Sequence, residues 1–172
     1  DCGGALVGLA QAADDESEVA GVLSHEIAHI TQQHLYRAIE NQQEMTIPIA
    51  LAMLALVLVG GGSGEAIQAA VIGGQAAALQ AQITFTRQNE YEADRIGIST
   101  LSRAGYNPVG MAEFFEKMGR LTRSMGEGPE EYLRTHPVSV NRISEALNRA
   151  QNMPDPKPSD SRDFYLVQAR LR

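Results

Sequence analysis

The chain has 172 residues, 44% of them hydrophobic and 20% charged, with a formal charge of −7. That length suits one domain with a real core and at most an appendage. The acidic balance, with no basic cluster, excludes nucleic acid as the expected partner. Aromatic residues make up only 5% and tryptophan is absent, while alanine and glycine are plentiful, which suits closely packed helices better than a β-sandwich.

The chain begins at Asp1 without a charged and apolar leader, and is expected to be a processed or excised fragment. Cys2 is the only cysteine, so no intrachain disulfide can form, and it is given no role. Residues 1–13 are rich in glycine and alanine, and Leu6-Val7 is the one candidate for a short strand. The acidic run Asp14 to Glu18 marks a helix N-terminus. A helix is expected from about Asp15 to Asn41, with Val19, Val22, Leu23, Ile27 and Ile30 recurring at spacings of three and four as its buried face.

That helix contains His25-Glu26-Ile27-Ala28-His29, the pattern H-E-x-x-H. Imidazoles four residues apart share a helix face and can reach one metal ion, as zinc hydrolases require. Glu26 projects about 60° around the helix from His29, where it can serve a reacting water as general base. The bland alternative is a chance match on a core helix. His34 lies about 140° around from His29 on a continuous helix and is expected to face elsewhere.

Ile47 to Val59 is the most hydrophobic stretch. Its run is shorter than the ~20 residues that span a bilayer, so a buried or interfacial helix is expected, with peripheral membrane contact as the rival reading. Gly60 to Gly64 breaks the chain as a loop, and a small-residue helix follows from Ala66 to Ile83. Helix resumes through Arg87-Gln88-Asn89-Glu90-Tyr91-Glu92-Ala93-Asp94 to about Ser102. Asn107 caps the next helix, which runs to about Leu121 with Met111, Phe114, Phe115 and Met118 inward. Met125 to Gly128 is a connection, Thr135-His136-Pro137 a turn, and Ser139 to Ala150 another helix. The prolines of Met153 to Ser159 make a stiff linker, after which 160–172 form an amphipathic helix with no visible partner. The expected organisation is a domain over 1–152, a linker over 153–159, and over 160–172 the first helix of a truncated second domain.

A catalytic metal needs a third protein ligand. The three-histidine version of the motif is excluded, because its glycine and last histidine positions are Gln32 and Leu35. A carboxylate from a later helix is the other option. Glu40 and Glu44 lie on or just past the motif's own helix, and Glu65 beside a glycine loop. Glu90 is better placed: Glu90 and Asp94 share a helix face, so one can bind metal while the other accepts a ring N–H from His25 or His29. The plain alternative is that both are surface acids.

The pairing of H-E-I-A-H with E-Y-E-A-D some sixty residues later resembles the zinc peptidase family of the CAAX prenyl proteases and HtpX. The wider match, over about residues 13 to 150, is most similar to its periplasmic, BepA-type members. The resemblance implies a mainly α, zincin-like (gluzincin) metalloprotease domain with little or no β-sheet. It also implies Zn²⁺ held by His25, His29 and Glu90, with Asp94 supporting a ligand and Glu26 as general base. In His136-Pro137-Val138-Ser139-Val140-Asn141-Arg142 it assigns Arg142 to the oxyanion, and His136 to the metal's surroundings, where it can take the fourth position as a latch. It further implies protein substrates among outer-membrane proteins and their assembly machinery. Three departures stand out: only the Ile47–Val59 run lies where HtpX-like members have membrane spans, the substrate-pairing edge strand shrinks to Gly3 to Gly8, and only Ser161 to Arg172 is left for tetratricopeptide repeats. Two rival readings are a chaperone-like or scaffolding module with a structural or latent zinc, and a membrane-surface module built on Ile47–Val59.

Overall fold

The computed structural model describes residues 2–125, 132, 135–154, 156 and 162–171. Among these residues the chain is helical throughout, with no strand. In order, the helices are α1 (Cys2–Ala12), α2 (Glu16–Thr31), α3 (His34–Val59), α4 (Gly64–Arg103), α5 (Val109–Met125), α6 (Val140–Gln151) and α7 (Arg162–Leu171). The mainly α expectation holds. The chain divides into two compact units, 1–28 with 91–172 and 29–90.

The first unit holds two apolar clusters. Leu9, Ala13, Val22, Phe114, Met118 and Tyr132 form one, with Val19 and Phe164 packed against it. Ile98, Leu101, Met111, Ala112, Phe115 and Ala146 form the other. α5 supplies residues to both, in the helical spacing foreseen for Met111, Phe114, Phe115 and Met118. Asn107 caps α5 by accepting from Val109 N at 3.1 Å, and Ser139 caps α6 by accepting from Arg142 N at 3.3 Å. Asp15 Oδ1 opens α2 by accepting from Glu18 N at 2.9 Å.

Four expectations change here. Leu6-Val7 and the shortened edge strand lie inside α1, because that segment lacks the alternating β-branched pattern of a strand and turns Leu9 into the core. The buried face of α2 is not its large apolar residues: Leu23, Ile27 and Ile30 are exposed, while Ser17, Glu18, Gly21, Val22, Ser24, His25 and Ala28 are buried. The period is helical, but polar and small residues occupy most of it. The run from Asp15 to Asn41 is two helices, broken where Gln33 takes a left-handed conformation (φ 54°, ψ 39°). Finally, α7 is not unpartnered: Phe164 packs on the first cluster and Gln168 Nε2 donates to Ala13 O at 2.7 Å and Ala10 O at 3.2 Å. The expected connection at Gly126 to Gly128 lies outside the described residues, as do residues 155 and 157–161 in and beside the expected linker.

Two glycines set how closely these helices approach. A Cβ on Gly21 would stand 2.9 Å from Met111 Cα, and one on Gly97 would stand 3.1 Å from His25 N and 3.2 Å from His25 Cα. The missing side chain at Gly97 lets α4 lie directly on the α2 backbone at His25.

In the second unit, α3 and the first half of α4 form a helical hairpin. Gly61 and Gly62 take left-handed φ values of 69° and 70° at its turn, and Ser63 Oγ caps α4 by accepting from Ala66 N at 3.2 Å. α3 continues through Pro48 to a length of 26 residues, long and apolar enough to cross a membrane by length and composition, with a mean hydropathy of 1.6 over its most apolar 18 residues. None of its most apolar window is buried, so of the expected buried or interfacial helix over Ile47–Val59 the buried alternative falls. The short apolar run understated the element, because the polar first turns of α3 extend it.

Candidate metal centre

α2 carries His25, Glu26 and His29, and α4 carries Glu90 and Asp94, each pair of metal-type residues one helical turn apart. The two units divide within these helices, after Ala28 and after Glu90, and the geometry is described within each.

In the first unit His25 is fully buried, and its Nδ1 lies 3.0 Å from Asp94 Oδ1. The closeness of Gly97 to the His25 backbone brings that ring against Asp94, one turn earlier on α4. His25 Nε2 is turned the other way and faces His136 Nδ1 at 3.4 Å. Phe115 meets the His25 ring edge-on, with centroids 5.9 Å apart. His136 is held by its own backbone N–H, which donates to Tyr132 O at 2.8 Å, and by the Tyr132 ring, 4.8 Å from its own. Its Nε2 is 3.5 Å from Glu26 Oε1, an oxygen that is shielded from solvent and makes no hydrogen bond among the described residues.

Arg142 is buried beneath this group. Its Nε and Nη2 donate to the two oxygens of Asp94 at 2.7 and 2.8 Å, and its Nη1 donates to Pro137 O at 2.7 Å. The guanidinium also lies 4.9 Å from the Phe115 ring centroid. The described contacts engage all three of its nitrogens, with Asp94 and with the carbonyl next to His136; the oxyanion role implied by the resemblance is a separate expectation. A forked pair of this kind fixes the carboxylate in plane and in position.

In the second unit His29 Nε2 lies 3.2 Å from Glu90 Oε1. Its other nitrogen, Nδ1, faces Nδ1 of His34 at 2.9 Å, and the rings cross at 83° with centroids 4.7 Å apart. His34 is buried. The expectation that it faces elsewhere assumed one unbroken helix; the left-handed Gln33 restarts the helix and swings His34 back onto His29. Nothing short of the turn's conformation would have revealed this, although a non-helical residue between two helical runs is a signal to look for.

Within the first unit His25 Nε2 faces His136 Nδ1, and within the second His29 Nε2 faces Glu90 Oε1. The donor set fits a metal such as zinc: nitrogens and a carboxylate oxygen, with both motif histidines presenting Nε2 while Nδ1 is held from outside. The spacing fits as well. Two donors about 2.1 Å from one tetrahedral ion stand about 3.4 Å apart. The His25–His136 and His29–Glu90 separations, 3.4 and 3.2 Å, are close to that edge.

The pattern of Peptidase family M48 matches residues 5–150. The chain belongs to that family. Within M48, it is 43% identical over 157 residues to the beta-barrel assembly-enhancing protease of Escherichia coli K12, covering 91% of this chain and 32% of that relative. The putative beta-barrel assembly-enhancing protease of Vibrio cholerae is 38% identical over 164 residues, covering 95% and 34%. The mitochondrial metalloendopeptidase OMA1 of Arabidopsis thaliana is 32% identical over 148 residues, covering 86% and 27%. The chain thus spans about a third of the length of these M48 relatives.

Proposed function

We propose that this chain carries the catalytic centre of a zinc-dependent endopeptidase. The observation that carries this reading is a facing pair of metal-type donors in each unit, His25 with His136 and His29 with Glu90, with Glu26 on the motif helix 3.5 Å from His136. His25, His29 and Glu90 are the proposed ligands, and Asp94 holds His25 in the tautomer that leaves Nε2 free. A zinc ion held there supplies a Lewis acid that polarises the scissile carbonyl and acidifies the attacking water. Glu26 takes the water's proton and returns it to the amine as the C–N bond breaks, so water is added across the peptide bond. Arg142 acts as a positioning residue, locking Asp94 behind His25.

The bacterial relatives are named for enhancing beta-barrel assembly, and with the family resemblance this motivates a finer proposal: periplasmic quality control of outer-membrane proteins, with those proteins and their assembly machinery as substrates or partners. Seen beside that, His136 favours a latent state. Its Nδ1, 3.4 Å from His25 Nε2, is near enough to fill a fourth ligand position and keep water out. A permanently closed four-ligand site would belong to a scaffold with structural zinc.

Glu26→Gln and Glu90→Ala separate chemistry from metal binding. Glu26→Gln is expected to keep one zinc per chain by atomic absorption while peptide cleavage falls about 10³-fold. Glu90→Ala is expected to lose the zinc; full occupancy there would remove Glu90 from the ligand set, and wild-type cleavage by Glu26→Gln would end its role as base.

A further inference from the structure

We infer that His34 is a positioning residue of the metal centre, acting through His29. The inference rests on the reading of His29 as a ligand. If Nε2 of His29 holds the metal, the ring's one proton must sit on Nδ1, and that N–H needs an acceptor. His34 Nδ1, at 2.9 Å with the two rings crossed at 83°, is the group placed to accept from it. His34 thereby does for His29 what Asp94 does for His25: it fixes the tautomer and the ring's rotation about its Cβ–Cγ bond.

Three features argue that this contact is built. The two histidines are five residues apart, a spacing at which a regular helix would carry them to different faces. The contact exists because Gln33 adopts a left-handed backbone, the one non-glycine residue with positive φ among those described, and conformations of that kind persist where the surroundings enforce them. His34 is also buried at the start of a helix that otherwise leaves its side chains exposed or half-buried, as no stray surface histidine would be. Nor does it take a ligand's place: it meets His29 on the nitrogen turned away from Glu90. The two ligand histidines therefore lean on chemically different partners, a carboxylate clamped by arginine for His25 and a neutral imidazole for His29.

The test compares His34→Leu, which fills the space without accepting, with His34→Asn, whose Oδ1 stands near the position of the imidazole Nδ1. Zinc affinity is read by competition with a chromophoric chelator, and the His29 ring N–H is followed by NMR in the zinc-loaded chain. His34→Leu is expected to weaken zinc binding about 10- to 100-fold and to shift the His29 Nδ1–H resonance upfield with faster exchange, with the asparagine recovering most of both. Unchanged affinity and an unchanged resonance in His34→Leu would overturn the inference. So would equal losses in both variants accompanied by the same fall in melting temperature of the metal-free chain, since that pattern marks a packing role. His29→Ala distinguishes failure of the underlying reading: full zinc binding there would remove His29 from the ligands whatever His34 does.

Discussion

At His136 two roles meet on one imidazole. Nδ1 lies 3.4 Å from His25 Nε2 and Nε2 lies 3.5 Å from Glu26 Oε1, so the ring stands between a ligand and the proposed base. If it serves as a latch, His136→Ala opens a coordination position and frees Glu26, and basal peptide cleavage should rise severalfold with zinc content unchanged. Loss of zinc together with activity would instead make His136 an obligatory ligand. Which residues could be read in advance depends on how each is specified. His25, Glu26 and His29 are fixed by spacing within one helix turn, so the sequence alone displays their chemistry. Glu90 and Asp94 share a face in the same way, but their relation to His25 depends on two helices meeting, and there the family resemblance supplied what spacing could not. His34 was missed because a single left-handed residue invalidates the helical angle on which its placement depended. For Arg142 the resemblance supplied a position, while the two oxygens of Asp94 supplied the partner.

The helices show the same contrast at larger scale. Capping and composition located α5 and α6 well, because Asn107 and Ser139 act on their own neighbours. Hydrophobic periodicity misjudged α2, whose apolar residues are exposed and whose polar, glycine-bearing face is buried. A period identifies a helix but not which side the fold will use, and here the side is the one that carries His25 and the small residues Gly21, Ser24 and Ala28. α3 was misjudged in reach: the apolar run sits inside a 26-residue helix whose most hydrophobic window is unburied. Leu51, Leu54, Leu58 and Val59 are large side chains with most or much of their surface exposed. Burial of such a face in a lipid interface contributes roughly 25 cal/mol per Å² of apolar area removed from water. The chain is therefore expected to float with liposomes, and Leu51→Gln with Leu54→Gln should return it to the soluble fraction. Absence of the wild-type chain from the lipid fraction would sink the membrane-surface reading.

Over the whole molecule, stability of the first unit depends on a polar joint as well as on its two apolar clusters. Lys117 Nζ, on α5, donates to Glu18 Oε2 at 2.6 Å and to Ala12 O at 3.2 Å, and pairs with Asp14 at 2.6 Å, joining α5 to the end of α1 and the start of α2. Burial alone pushes the Lys117 ammonium down, but its hydrogen bonds to Asp14 and Glu18 and their charges outweigh that and raise its pKa above the ordinary lysine value. A cation whose folded pKa is raised contributes stability in full below its unfolded value of about 10.4, and loses it only as pH climbs through the higher folded one. Lys117→Met keeps the stem but leaves the nearly buried Glu18 carboxylate without its cation, at a cost of about 3 kcal/mol. In urea titrations the deficit against wild type should hold from pH 7 to 9 and shrink only as pH rises beyond the ordinary lysine value of about 10.4. A deficit that disappeared between pH 7 and 9 would refute the joint.

Gly97 has no functional group, yet the tolerance of the centre is set there. Adding one methyl would bring carbon to 3.1 Å from His25 N and 2.8 Å from Met111 Cε, and the α2 backbone would have to yield by a few tenths of an ångström. Metal sites discriminate at about ±0.2 Å in ligand distance. A mutational survey of this chain should therefore contain a loss of metal at a position with nothing to donate, in a protein that retains every ligand. An inventory confined to reactive side chains would score that allele as harmless.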